Sequence, residues 1–190
     1  LIKQGFIPQK SNSKSAYTVR YMPNGGAGSM ENSRFFCGTR TPLPSNRYTL
    51  EGHDFDCWYA ERYSDHKWKY QNAAGTQTGW YTEGQQPSGW TKYRYENRAG
   101  IYEEDVAANE LIYLHAQWKK YFIIRYHENG GSGSMADTKV YYGVSTQLRA
   151  LDFARGGYTF DCWHVYRESD NKWRYRNPNN TSQSGFYVEG

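Results

Sequence analysis

Tyr17-Thr-Val-Arg-Tyr-Met-Pro-Asn-Gly-Gly-Ala-Gly-Ser-Met30 and Phe122-Ile-Ile-Arg-Tyr-His-Glu-Asn-Gly-Gly-Ser-Gly-Ser-Met135 are one pattern written twice, with Arg20 returning as Arg125, 105 positions on. Self-similarity at a fixed spacing decides the architecture before any secondary structure is assigned. The spacing holds outward from this stretch without a gap. Gly38 meets Gly143, Leu43 meets Leu148, and Gly52 meets Gly157. Phe55-Asp-Cys-Trp58 meets Phe160-Asp-Cys-Trp163, and Lys67, Trp68, Tyr70 and Asn72 meet Lys172, Trp173, Tyr175 and Asn177. One inserted residue later, Gly79-Trp-Tyr-Thr-Glu-Gly84 answers to Gly185-Phe-Tyr-Val-Glu-Gly190. The first copy runs on to Trp118, so residues 85–118 have no counterpart in the second. The expected organisation is a linker or upstream remnant over 1–15, a first repeat module over 16–119, and a second over 120–190 that lacks its C-terminal part. Leu1 in place of a starting Met reads as a piece of a longer polypeptide. The joint, Lys119-Lys120, is too short to allow free relative motion of the modules.

Within each copy the apolar residues alternate with period two, the signature of half-buried strands. Tyr17, Val19 and Tyr21, and their matches Phe122, Ile124 and Tyr126, occupy one face of a first strand. Asn-Gly-Gly then turns the chain, since Asn and Gly tolerate positive φ. A second strand surrounds Phe55 to Trp58. A last one covers Leu111 to Trp118, where Ile112, Leu114, Ala116 and Trp118 share a face. Tyr102 to Asn109, with Glu-Glu-Asp ahead of Val-Ala-Ala, is the one stretch with a helical hint. The fold class is mainly β, α+β at most.

Composition excludes several classes. Hydrophobic residues make up 37 % and mean hydropathy is −0.98, but aromatics reach 18 %, with 19 Tyr among 190 residues. A disordered chain is aromatic-poor. No apolar run approaches the ~20 residues of a spanning helix, and no signal peptide is visible, so no membrane insertion is expected. The net charge of +4 is too small for a duplex-binding footprint. Cys37, Cys57 and Cys162 are odd in number and form no C-x-x-C pair, which reads as buried free thiols and neither a disulfide framework nor a zinc site.

The order of motifs (strand, Asn-Gly-Gly-x-Gly-Ser-Met, Gly, Gly-x-x-Phe-x-x-Trp, Leu-x-Ala-Gln-Trp) resembles the Listeria/Bacteroides repeat, or internalin-type B repeat, over 17–58 and 111–118 and again over 122–163. The resemblance implies tandem small β-grasp modules in secreted or wall-attached bacterial proteins, serving as stalks or adhesive segments, and hence an extracellular location. Both copies depart from the pattern by an aromatic stretch after the Trp, and the second lacks the closing Leu-x-Ala-Gln-Trp.

That aromatic stretch carries the candidate chemistry. Trp68, Tyr70, Trp80, Tyr81, Trp90, Tyr93 and Tyr95, with Trp173, Tyr175 and Tyr187 in the second copy, are the candidate glycan-binding residues. A sugar ring lays an apolar C–H face on Trp or Tyr, and its hydroxyls suit nearby Asn, Gln, Asp and Lys. In an extended chain Trp68 and Tyr70 point one way, as do Tyr93 and Tyr95, with Lys and Arg opposite. The competing reading makes these rings the core of a small domain poor in aliphatics, each burial contributing about 3 kcal/mol against chain entropy. Polyanionic glycans suit Lys67, Lys69, Lys92 and Arg94 better than single-stranded nucleic acid does, and no nucleic acid partner is expected.

Gly-Gly-x-Gly-Ser lacks the Lys-Ser/Thr and the helix of a phosphate loop and reads as a turn. No His spacing suits a metal, and His53-Asp54-Phe-Asp56, the densest cluster, is not repeated. No cofactor is implied. No nucleophile elbow, reactive Cys motif or distinct carboxylate pair marks a catalytic site, so the chain is read as non-catalytic. The expected function is attachment or spacing in a bacterial surface or secreted protein, with a polysaccharide or cell-surface glycan as candidate partner. The alternatives are a purely structural stalk or protein-binding adhesin segment, with a surface protein as partner, and a targeting appendage of a secreted enzyme.

Overall fold

A computed structural model describes residues 15–104 and 106–189. In chain order the strands are β1 (Ala16–Met22), β2 (Ser33–Phe36), β3 (Thr41–Pro42), β4 (His53–Arg62), β5 (Lys67–Gln71), β6 (Thr78–Tyr81), β7 (Thr91–Lys92), β8 (Gly100–Ile101), β9 (Leu111–Ile124), β10 (Ser132–Gly133), β11 (Thr138–Tyr141), β12 (Phe153–Ala154), β13 (Tyr166–Arg167), β14 (Lys172–Asn177) and β15 (Asn180–Tyr187). There is no helix among the described residues. The chain divides into two compact units, residues up to 124 with 137–148, and 125–136 with 149–190.

In the first unit the main sheet has the order β2-β1-β9-β4-β5-β6, with β7 added to β5 and β11 to β9. β1 runs parallel to β9 at its centre, and the other pairings are antiparallel. A central parallel pair flanked by hairpins is the β-grasp arrangement that the repeat pattern implied, here without a helix. The alternation read in the sequence sets its inner face. Tyr17, Val19 and Tyr21 on β1, Trp58 and Ala60 on β4, and Ile112, Leu114 and Ala116 on β9 are each at most 3 % exposed. Phe35 of β2 and Ile101 of β8, with Leu43, Tyr48, Tyr95 and Val106 from the connecting segments, complete the core.

The helical hint at Tyr102 to Asn109 is corrected. Glu103 is drawn inward, and Asn109, at φ 63°, donates its N–H to the Ala16 carbonyl at 2.7 Å. Both commitments bend the segment into a turn that seats the start of β9. The buried-thiol expectation holds for Cys57, whose thiol burial pushes up to about 12. It is corrected for Cys37, half-buried, and for Cys162, exposed.

The last strand extends past the expected Trp118 to Ile124, and Lys119 and Lys120 lie inside it. Its final residues pair with β11 in the register that β1 uses with β2: Tyr121 faces Tyr141 and Ile124 faces Thr138, as Ala16 faces Phe36 and Val19 faces Ser33. The junction is tied by charge. Asp54 accepts from Lys139 Nζ at 2.8 Å and from the Tyr141 hydroxyl at 2.5 Å. Asp56 takes both arms of the Arg94 guanidinium at 2.8 Å and Lys119 Nζ at 2.6 Å. The two carboxylates of the dense His53-Asp54-Asp56 cluster are thus held by cations, His53 Nδ1 lies 2.7 Å from the Glu51 carbonyl, and no group of three metal-ligating side chains forms among the described residues.

The Arg94 hydrogen bonds lower the Asp56 carboxyl from 3.8 to about 2, and Lys139 lowers Asp54 in the same direction. A carboxylate whose pKa falls on folding stabilises the native state above its unfolded value, and that contribution disappears as pH drops through the folded value. Urea midpoints are therefore expected to fall between pH 4 and pH 2. Asp56→Asn should flatten this window, by about 1–2 kcal/mol given the partial exposure of its partners.

In the second unit β10 pairs β12, and β13, β14 and β15 form a three-stranded sheet. Matched positions keep matched geometry. Asn24 and Asn129 both sit at φ 47°, and His66 and Asn171 both at φ 55°. Trp58 meets Tyr21, Tyr48 and Phe55 at centroid distances of 5.5, 6.1 and 4.9 Å. Trp163 meets the matched Tyr126, Phe153 and Phe160 at 5.2, 6.1 and 5.0 Å. What differs is β4, which is ten residues long beside β9, whereas of the matched stretch 158–167 only Tyr166–Arg167 is strand. No described strand of the second unit offers that stretch the ladder that β9 offers β4, and unpaired strand backbone goes to water.

Candidate functional site

The expected site residues fall on two faces of the main sheet. Pairing of Trp68 with Glu61 and Tyr81, and of Tyr70 with Gly79 and Lys92, assigns Trp68, Tyr70, Tyr81 and Lys92 to the face opposite the core. Trp80 pairs with Lys69 and so faces inward. Lys69 points into the interior, where Trp80, Tyr93 and Tyr95 surround its ammonium at 5.8, 5.4 and 5.7 Å. Its Nζ lies 2.5 Å from Glu103 Oε1, which also accepts the Tyr95 hydroxyl at 2.6 Å. Tyr95 is 2 % exposed and is corrected from candidate platform to core. Trp80 and Tyr93 are half-buried against that core and are corrected with it. Lys69, read as a surface cation, is buried and paired.

On the outer face, Trp68, Tyr81 and Trp90 are half-buried, and Tyr70 is buried at 3 %. Trp90 packs on Tyr81 and Tyr81 on Tyr70, at 5.5 and 6.3 Å. Tyr81 lies back across Gly79, where a Cβ would come within 2.7 Å of its ring. Gly79 is therefore the residue that lets this ring lie along the sheet. Lys92 covers Trp68 at 4.0 Å and donates to Glu83 at 2.6 Å. Tyr70 is thus sealed, and one face of Trp68 is occupied by the side chain of Lys92.

The same face carries rings that were not among the candidates. Tyr59 and Glu61 on β4, with Tyr63 just past its end, alternate with the buried Trp58 and Ala60, and Tyr113, His115 and Gln117 on β9 alternate with Ile112, Leu114 and Ala116. Tyr63 is half exposed and meets Tyr113 edge-on at 5.3 Å. His115 stands 5.0 Å from Trp68. Glu61 joins two imidazoles, at 2.9 Å to His66 Nδ1 and 2.7 Å to His115 Nε2. Arg20, opposite Tyr113 in register, is exposed. The result is a stripe of Tyr113, Tyr63, Tyr59 and Trp68 interleaved with hydrogen-bonding groups of both signs. The signal for it lay in the alternation itself: once Ile112, Leu114 and Ala116 are core, Tyr113 and His115 must face the other way.

In the second unit Trp173 is half-buried, and Tyr175 and Tyr187 are 42 % and 60 % exposed. Tyr175 meets Tyr187 at 6.2 Å, with Gly185 making room as Gly79 does. The Arg62–Asp65 pair returns as Arg167–Asp170, at 2.6 Å in both. Arg62 lies 5.2 Å over Trp80, and Arg167 lies 4.2 Å over the matched Phe186.

The Listeria-Bacteroides repeat domain matches residues 17–78 and again residues 122–187, most of the chain and both copies. The chain belongs to the Listeria-Bacteroides repeat family. No curated protein and no solved structure matches it. The two Listeria-Bacteroides repeats each reach into the aromatic stretch, so Trp68, Tyr70, Trp173 and Tyr175 lie inside the matched residues, whereas Trp90, Tyr93, Tyr95 and β9 up to Lys120 fall between them. In the first repeat the stripe is therefore built jointly, Trp68 and Tyr59 from the family segment and Tyr113 and His115 from the strand that follows it.

Proposed function

We propose that this pair of Listeria-Bacteroides repeats is a non-catalytic attachment module of a bacterial surface or secreted protein, holding a polysaccharide on the outer face of its sheet. The observation that supports the reading is the stripe itself. Among the described residues the outer sheet face carries Tyr59 opposite His115 and Glu61 opposite Tyr113, with Tyr63 against Tyr113 and Lys92 over Tyr59. Stacking on the rings and hydrogen bonding to the charged groups is the chemistry a sugar ring offers. The exposed Tyr175 and Tyr187 give the second repeat a smaller ring pair. Two weak sites on one chain then act by avidity.

The test is affinity electrophoresis against neutral and acidic polysaccharides. Tyr63→Ala combined with Tyr113→Ala should weaken retention about tenfold, each stacked ring contributing about 0.5–1.5 kcal/mol. Tyr102→Ala, which removes an exposed ring outside the stripe, should leave retention unchanged. Retention by no polysaccharide class would leave the stalk reading, which the unbroken β9 favours.

A further inference from the structure

We infer that the first repeat is a tension-bearing clamp, in which force applied along the tandem chain loads the parallel β1–β9 ladder in shear. This is a function separate from sugar binding and holds whether or not the outer face is occupied. The chain enters the repeat at β1 and leaves it through β9. Because the two strands are parallel, with Thr18 opposite Leu111 and Met22 opposite His115, the point of arrival and the point of departure lie at opposite ends of the same ladder. Pulling Ser15 back and Lys120 forward slides one strand along the other. All the ladder's hydrogen bonds then stretch together and must fail together. A hairpin pulled at its open end gives way one bond at a time.

Three further observations point the same way. The seam extends beyond the five paired residues at both ends. At the start, Asn109 N–H donates to the Ala16 carbonyl at 2.7 Å and Thr18 N–H to the Glu110 carbonyl at 2.9 Å. At the far end, Asn24 Nδ2 donates to the Ala116 carbonyl at 2.8 Å and Trp118 Nε1 to the Pro23 carbonyl at 3.1 Å. Second, the inner side of the ladder is dry. Val19, Tyr21, Ile112 and Leu114 are at most 3 % exposed, and β2 and β4 flank the pair, so water reaches a stretched bond only from the outer face. Third, no slack linker follows. β9 itself becomes the first strand of the next repeat, paired to β11, and Tyr121 N–H is held by the Gly52 carbonyl at 3.0 Å while Asp54 holds Lys139 and Tyr141. Tension leaving one repeat passes directly into the backbone of the next.

The test is single-molecule pulling of the 190-residue chain in two directions. Cys37→Ser and Cys162→Ser clear the reactive thiols, and Cys57 is buried. Handles on Ser15→Cys and Lys120→Cys apply shear. Handles on Ser15→Cys and Ala108→Cys sit at the same end of the ladder and peel it. All three handle positions are exposed, and equal thermal midpoints of the two variants establish that both fold. The expected result is an unfolding force several-fold higher in shear than in peeling at one loading rate, with a shorter distance to the barrier read from the loading-rate dependence. Equal forces and equal barrier distances in the two directions would overturn the clamp.

Discussion

Lys69→Met is expected to destabilise the first repeat by about 3–5 kcal/mol, the usual cost of stripping one partner from a buried ion pair. Lys69 and Glu103 are 6 % and 4 % exposed, and their closest atoms are 2.5 Å apart. With the ammonium gone, the carboxylate keeps one described donor, the Tyr95 hydroxyl, inside a cage of Trp80, Tyr93 and Tyr95. Desolvation that the pair offsets then stands uncompensated. Glu103→Leu on top of Lys69→Met removes both charges and should recover most of the loss. About 1 kcal/mol should remain for the hydrogen bond that Tyr95 no longer makes. Urea unfolding of the two single variants and the double variant gives the coupling directly. A loss below about 1 kcal/mol for Lys69→Met would mean that water reaches the pair. The matched residue of the second copy, Arg174, is exposed and donates to Ser184 instead, so Arg174→Met should cost little.

The interior position of Lys69 marks the limit of what the sequence told. Period-two alternation correctly separated Lys69 from Trp68 and Tyr70, and Tyr93 and Tyr95 from Lys92 and Arg94. It did not say which side of the sheet is wet. That depends on where the segment 93–106 crosses, and Tyr95 is committed by a backbone bridge to Trp58, 37 positions earlier, with hydrogen bonds of 2.8 and 3.1 Å. No local pattern encodes such a crossing. β1 and β9 were legible because their apolar residues alternate over a full strand and leave one face no alternative. The stripe was partly legible for the same reason: Trp68 stood out by composition, whereas Tyr59, Tyr63 and Tyr113 were hidden as the outward partners of core residues. Tyr102 to Asn109 misled because its local charge pattern suits a helix start, while Glu103 is taken by a partner in β5.

The duplication also supplies an internal control for the worth of β9. Trp58→Ala is expected to cost about 3–5 kcal/mol and Trp163→Ala about 1–2 kcal/mol, although both indoles meet the same three matched rings. The ring contacts cancel in this comparison, so the difference measures what lies beyond them. Trp58 is fully buried opposite Ala116 of β9, with Ala60 and Leu114 as the next pair along the ladder. Trp163 is half-buried, and its neighbour Cys162 is exposed where the matched Cys57 is not. Truncating Trp58 leaves a cavity in a closed core, whereas truncating Trp163 removes surface that water already reaches. Two compact units need not unfold together, so a single midpoint does not apply. Site-resolved hydrogen exchange separates them, with protection at Ile112 and Leu114 reporting the first unit and at Trp173 and Tyr175 the second. The same data should show the second unit less protected before any substitution. Equal costs at the two Trp positions would mean that the aromatic cluster alone, without the strand beside it, carries the stability of the repeat.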